Sequence, residues 1–204
     1  MSESNIPTVS VICTVYNKEK WLNKAIESFL SQKNVDLEVI LIDDASTDNS
    51  KLIIQEFAQQ YPEKIIAIYN DKNLGITKTW GKACLAASGE YIARCDGDDY
   101  WVDDSKLEKQ LNFLKNHPES DWCGTDVDFV DEDGVIIETN VFTRKIIAIS
   151  DTYEKMMATR GFTAPSTWLV KRDLMLLVNS MLNDDINTAD DTFNLQLDLF
   201  NHTQ

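Results

Sequence analysis

The sequence predicts an α/β fold, with a mostly parallel, twisted sheet flanked by helices and a smaller part built from a β-hairpin and further helices. Three observations carry this expectation. Short apolar runs rich in Val and Ile recur through the first half, as strands covered on both faces require. Longer stretches of helical period separate them. The second half changes character, with an Asp-Gly pair set between two short β-prone runs.

The predicted strands of the first half are Val9 to Val15, Leu37 to Ile42, Ile65 to Tyr69 and Tyr91 to Cys95. Between the first two, Glu19 to Ser31 carries Trp21, Leu22, Ala25, Ile26, Phe29 and Leu30 on one helical face. Ser46, Thr47 and Asp48 offer capping side chains to a helix bearing Leu52, Ile53 and Phe57. A third helix is expected from about Thr77 to Ala87. Asp103 or Asp104 caps a fourth, whose Leu107, Leu111 and Leu114 recur until His117 and Pro118 end it. Asp133-Gly134 joins Val127 to Val130 and Val135 to Ile137 in a hairpin. Ser166 to Lys171 reads as a further strand, and Arg172 to Leu182 and Thr192 to Phe200 as two more helices.

A chain of 204 residues, 43% hydrophobic and 26% charged, suits one globular domain with a sizeable core. Its 19 basic and 34 acidic residues give a net charge of −15, which repels phosphate backbones and sets nucleic acid aside as a partner. Met1 to Thr8 is polar and no apolar run is long enough to span a bilayer, so neither a signal peptide nor a transmembrane segment is expected. Cys13, Cys84, Cys95 and Cys123 lack zinc-site spacing, and three of them sit inside apolar runs where they read as small core residues, a pattern that suits a reducing cytosol.

Ligands of open α/β sheets bind beyond the carboxyl ends of the strands, and two of those ends are acidic. The second strand runs into Asp43-Asp44-Ala45-Ser46-Thr47-Asp48 and the fourth into Asp96-Gly97-Asp98-Asp99. Like charges held together raise one another's pKa unless a cation or hydrogen-bond donors compensate them. Mg²⁺ or Mn²⁺ meets that need, because such ions bridge one or two carboxylates to substrate phosphates. Gly97 is expected to let the backbone turn tightly beside the ligand. The first cluster is equally readable as a turn and helix cap. The second, followed by Tyr100-Trp101, exceeds what a turn requires. An EF-hand is excluded, since Asn49 and Gln55 stand where its glycine and bidentate glutamate belong.

Val9-Ser-Val-Ile-Cys-Thr-Val-Tyr-Asn17, Leu41-Ile-Asp-Asp-Ala-Ser-Thr-Asp48 and Gly89-Glu-Tyr-Ile-Ala-Arg-Cys-Asp-Gly-Asp-Asp99 occur in an order and spacing that resembles the family 2 glycosyltransferases. Asn73-Leu-Gly75, Trp101 and Lys106-Leu-Glu-Lys-Gln-Leu111 extend the likeness over roughly residues 8 to 115. The resemblance implies a GT-A, Rossmann-like fold and an inverting, metal-dependent transfer of sugar from a nucleotide diphosphate donor, a UDP-sugar, to a hydroxyl of a glycan, glycolipid or glycoprotein. It implies that Thr14, Tyr16 and Asn17 line the nucleotide, that Asp43, with Asp44 and Asn73 nearby, helps hold the donor, and that Asp43 accepts a hydrogen bond from uracil. It implies that Asp96 serves the ribose or diphosphate, that Asp98 is the direct ligand of Mn²⁺ or Mg²⁺ with Asp96 beside it, and that Asp99 supports them.

By the same resemblance residues 8–115 form a nucleotide-sugar-binding half and 116–204 an acceptor and catalytic-base half. Aligning Phe193 with the family's first apolar helix position makes Asp190 the base, with Asp191 the close alternative; Ala189 and Gln196 depart from the family pattern. Phe162 to Trp168 falls where the family lines its acceptor pocket, so Trp168, with Trp101, is assigned to the acceptor side; core packing explains Trp168 equally well. The chain stops soon after the base helix, as a fragment or a minimal enzyme would. A cytoplasmic location, or a peripheral one at the inner face of the membrane, follows from these expectations. Two other functions remain open: a nucleotide-sugar-binding module without catalysis, and a magnesium-dependent phosphatase using Asp96, for which Tyr100 is the wrong residue two places past Asp98. A dehydrogenase is disfavoured because no Gly-x-Gly-x-x-Gly follows the first strand.

Overall fold

The computed structural model describes residues 8–147 and 164–181. A six-stranded sheet forms the centre, in the order β3-β2-β1-β4-β8-β5. β1 (Val9–Val15), β2 (Leu37–Asp43), β3 (Ile65–Tyr69) and β4 (Tyr91–Arg94) are mutually parallel. β8 (Leu169–Lys171) joins β4 antiparallel, and β5 (Trp122–Cys123) pairs antiparallel with β8. β6 (Phe129–Val130) and β7 (Ile136–Glu138) make a separate two-stranded hairpin. The chain lays β2 and β3 to one side of β1 and β4 to the other, so the strand order reverses between β1 and β4, where a ligand crevice is expected.

Every residue of β1 and β2 is buried. Side chains alternate between faces with period two, and each face packs on different helices. Val9, Val11, Cys13 and Val15 of β1 meet α1 (Leu22–Leu30), α2 (Ser50–Gln60) and α4 (Lys106–Asn116) in one apolar cluster. Ile12, Ile40 and Ile42 point the other way, onto Trp80, Ala83 and Cys84 of α3 (Ile76–Ala86) and Met175 and Val178 of α5 (Arg172–Met181). α1 shows why packing decides. Its first turn has no side-chain cap, a deficit of about 1 kcal/mol. Leu22, Ile26 and Phe29 are fully buried, and at about 2 kcal/mol each their transfer from water outweighs the missing cap.

The first half matches the predicted elements, with shifted ends that have local causes. α1 starts at Leu22 because the amides of Lys18 and Glu19 are taken by Ser50 Oγ (2.8 Å) and Asp48 Oδ2 (3.0 Å). α4 starts at Lys106 behind Ser105, and Asp103 accepts the Ser105 amide (2.9 Å) instead of capping the helix itself. The strand expected from Ser166 is shortened: Pro165–Thr167 coils into a 3₁₀ turn after Ala164, whose φ is 44°. β5, two residues long, was not anticipated. The hairpin forms with Gly134 at φ 80° in its turn. The helix expected at 192–200 lies outside the described residues. No helix among the described residues is long and apolar enough to cross a membrane.

Candidate functional site

The loop after β1 and the loop after β2 are knitted together. The Asn17 amide donates to Ser46 Oγ (3.0 Å), and Asn17 Oδ1 accepts the Thr47 amide (2.8 Å). Both loops bend through the left-handed region, Asn17 at φ 55° and Ala45 at φ 61°. Asn tolerates this conformation but Ala does so at a cost of about 1 kcal/mol or more, offset here by the cross-loop bonds. Tyr16, 46% exposed, follows Val15, which pairs with Asp43 at the end of β2; Asp43 is 1% exposed and its carboxylate meets the Ser46 amide at 3.3 and 3.4 Å. Thr14 is buried one step earlier, in register with Ile42.

Asp44 is tied into the fold. Its carboxylate accepts Asn70 Nδ2 (2.8 Å) and the amides of Leu74 (2.8 Å) and Gly75 (2.9 Å). It thus anchors the loop that leads into α3, with three of its roughly four acceptor positions used. Asn73 is exposed and also accepts the Gly75 amide (3.0 Å), where Gly75 turns at φ 82°.

Beyond β4 each aspartate has its own partner. Arg94, buried against the Trp80 ring at 5.0 Å, donates from Nε to Asp96 Oδ1 (3.2 Å) and from Nη2 to Oδ2 (3.4 Å). Asp98, exposed, is ion-paired with Lys18 Nζ from the loop after β1. Asp99 accepts the Ser166 hydroxyl. Burial pushes the Asp99 pKa up, the Ser166 hydroxyl draws it back, and the carboxylates of Asp96 and Asp98 raise it again. Gly97 is not at positive φ. A Cβ there would lie 3.3 Å from Lys18 Cγ and 3.5 Å from Leu22 Cδ1, so the glycine packs closely against the Lys18 stem and α1.

Among the described residues no three His, Cys, Asp or Glu side chains converge as a complete metal cage. The donor set nonetheless fits a hard divalent cation that shares its coordination with phosphate. Asp98 is accessible, its ion-pair partner among the described residues is a displaceable ammonium, and after burial the carboxylates of Asp96 and Asp98 help raise the pKa of Asp99.

The two tryptophans are not where the acceptor-side expectation put them. Trp168 is 0% exposed, edge-on to Trp122 with ring centroids 6.0 Å apart. Trp101 is 9% exposed, packed on Phe29 at 5.0 Å, with Nε1 donating to Ser166 O (2.9 Å). Neither presents a ring face to a sugar, because packing has claimed both. Asp190 and Asp191 lie outside the described residues. Sequence reading missed Lys18, Arg94 and Ser166. Arg94 was findable: an arginine inside an apolar strand, two residues before Asp96, shares that aspartate's side of an extended chain. Lys18 and Ser166 carry no such periodic signal.

A second depression, about 630 Å³, lies at the opposite end of the sheet, lined by residues including Thr8, Gly89, Lys171 and Arg172. It has none of the aspartates described above.

A family model described as Glycosyl transferase family 2 matches residues 10–176. The chain is 42% identical over 129 residues to a Bacillus subtilis (strain 168) protein named "Putative glycosyltransferase EpsE", covering 63% of this chain and 46% of that one. Its fold is similar to S. aureus TarS 1-349 in complex with UDP-GlcNAc, with a TM-score of 0.71 at 23% identity over 95% of this chain and 53% of the other. It is also similar to mannosyltransferase PcManGT from Pyrobaculum calidifontis in complex with GDP-Man and Mn²⁺, with a TM-score of 0.69 at 18% identity over 93% and 51% of the two chains. The chain thus spans about half the length of these relatives or less.

Proposed function

The chain belongs to glycosyl transferase family 2, and from that premise we propose that it transfers a sugar from a nucleotide diphosphate donor, UDP-linked, to an acceptor hydroxyl with inversion. The observation that carries the proposal is the linkage of three loops at the carboxyl ends of β1, β2 and β4: the loop with exposed Tyr16 is bonded to the one that follows buried Asp43, and its Lys18 is ion-paired with Asp98, beside Asp96. A flat exposed ring and a carboxylate suit the face and the N–H edge of a uracil. UDP-GlcNAc in the TarS structure and GDP-Man with Mn²⁺ in the PcManGT structure support a nucleotide-sugar donor with a divalent ion.

Asp98, with Asp96 beside it, would hold Mn²⁺ or Mg²⁺. The ion would supply positive charge to the departing diphosphate. Lys18, displaced from Asp98, would be free to meet a donor phosphate. Arg94 orients Asp96 through its two guanidinium hydrogen bonds. In the transfer, the acceptor oxygen bonds to the anomeric carbon as the bond from that carbon to the diphosphate breaks on the opposite face. The hydroxyl proton passes to a carboxylate, for which Asp190, or Asp191, is the candidate. Glycan, glycolipid or glycoprotein assembly is the setting proposed.

Calorimetry of UDP and nucleotide sugars with Mn²⁺, combined with a donor-hydrolysis assay, tests this reading. Binding by the wild type, lost at least tenfold in Asp98→Ala, supports the metal and donor assignment. Turnover lost in Asp190→Ala with binding retained assigns the base. A wild-type chain that binds no nucleotide with either metal ends the proposal.

A further inference from the structure

We infer that Ser166 is a positioning residue that sets the shape of the Asp96–Asp99 loop, and that Trp101, Lys106 and Gln110 act as the frame that holds it there; the inference rests on the donor-site reading above. Ser166 sits in the 3₁₀ turn Pro165–Thr167, far along the chain from the carboxylates, yet its one hydroxyl engages both ends of their loop. Its oxygen accepts the Asp96 amide (3.2 Å) and its proton goes to Asp99 Oδ2. A further turn bond, from the Asp99 amide to Asp96 O (3.0 Å), closes the loop on itself. The hydroxyl therefore fixes the separation of two acidic residues whose mutual repulsion would otherwise spread them.

A short turn cannot hold such a geometry unless its own backbone is fixed, and two consecutive carbonyls of this one are. Trp101 Nε1 donates to Ser166 O (2.9 Å). Gln110 Nε2 (2.9 Å) and Lys106 Nζ (3.2 Å) both donate to Thr167 O. Thr167 Oγ1 closes the turn onto Ala164 O (2.8 Å). Lys106 itself is buried, lies 4.2 Å over the Trp101 ring and is bonded to Gln110 Oε1 (2.7 Å). Lysine and glutamine are rarely buried without a structural task, and here both point at the same carbonyl. The short segment from Trp101 to Gln110 thus reaches across from the nucleotide half to grip the turn that grips the carboxylates. An acidic loop would remain without this frame, but not one of fixed shape, and preorganisation of this kind is what charged ligand sites depend on.

The test uses the full chain as wild type, Ser166→Ala, Ser166→Thr, Asp99→Asn and the Ser166→Ala/Asp99→Asn double variant. Two readouts are taken: hydrogen exchange of the Asp96 amide without ligand, and calorimetry of UDP with Mn²⁺. Ser166 is half-buried and Ala fits its turn, so unfolding is not expected, and thermal melts check it. Ser166→Ala should exchange the Asp96 amide faster and weaken UDP–Mn²⁺ binding about tenfold, the loss of one charge-assisted hydrogen bond. Ser166→Thr, which keeps the hydroxyl, should recover most of that loss, and in the Asp99→Asn background the same alanine change should cost less. Unchanged Asp96 exchange in Ser166→Ala, or a binding loss that threonine does not rescue and Asp99→Asn does not reduce, overturns the inference. If the wild type binds no nucleotide, the donor-site reading fails separately, and the positioning role is decided by the Asp96 exchange alone.

Discussion

Lys18 and Arg94 divide the neutralisation of the acidic loop between them, one from the solvent side and one from beneath. Arg94 is almost fully buried and holds Asp96 within the fold, whereas the Lys18–Asp98 pair is exposed and contributes little to stability, within about 1 kcal/mol. That asymmetry is what a displaceable partner needs. Lys106 is a different case: burial lowers its pKa to about 8 from an ordinary 10.5, and no carboxylate is among its bonded partners. Below pH 8 the amine is charged in both folded and unfolded chains, and its desolvation weighs against folding. Between about pH 8 and 10.5 the unfolded chain holds the proton and the folded chain has released it, so stability rises with pH. Compared with Lys106→Met, the wild type should gain up to about 1.4 kcal/mol per pH unit across that window. Denaturant melts at several pH values check this, and parallel pH profiles for the two proteins would show that the amine does not titrate in a buried site. Single residues were also where the sequence misled. Nothing in Asp43-Asp44 distinguishes the carboxylate bonded to the Ser46 amide from the one pinned under Leu74 and Gly75, and an indole in an apolar stretch reads the same whether it faces a sugar or, like Trp168, the core.

At the scale of elements, the two ends of the parallel strands have opposite designs. At the carboxyl ends, loops carry charge outward. At the amino ends a buried network closes the sheet: Glu38 Oε1 accepts Ser10 Oγ (2.6 Å), the Ser88 amide (2.7 Å) and Ser88 Oγ (3.0 Å), and Ser10 Oγ accepts the Gly89 amide (2.8 Å). Gly89 is obligatory there, because a Cβ would stand 2.7 Å from the Ser10 backbone nitrogen. Gly89→Ala should destabilise by about 1–3 kcal/mol in denaturant melts while leaving UDP affinity at low temperature unchanged; equal loss of both would mean the two ends are coupled. Asp44→Ala removes three charge-assisted bonds to the loop before α3 and should cost about 2–3 kcal/mol or more, with faster exchange of the Leu74 and Gly75 amides as its mark. Protection at those amides equal to wild type would contradict the anchoring role. β1 was readable to the residue, since an unbroken buried strand imposes an apolar run on the sequence; β3, an edge strand with only Ile65 buried, was readable because its run is still β-prone Ile and Tyr. β5 was not, because two residues impose no period, and β8 began late because Pro165 and the left-handed Ala164 favour a turn that periodicity does not record.

For the molecule as a whole, a doubly covered sheet reversing its strand order between β1 and β4 puts every described donor-site candidate at one edge. The acidic total of −15 makes that edge inhospitable to a diphosphate without added positive charge, which is why Lys18, Arg94 and a divalent cation are central to the account. The donor side was legible because its motifs sit at strand ends, where the fold fixes their direction. The acceptor side was not, because its proposed base depends on an alignment of residues outside those described. Amide-resolved chemical-shift mapping of the full chain titrated with UDP and Mg²⁺ decides whether the donor binds at these strand ends. Perturbations should concentrate at Tyr16–Lys18, Asp43–Ser46 and Asp96–Asp99, and be lost in Asp98→Ala. Perturbations centred instead on Thr8, Gly89 and Arg172 at the opposite end of the sheet, or none at all, would contradict it.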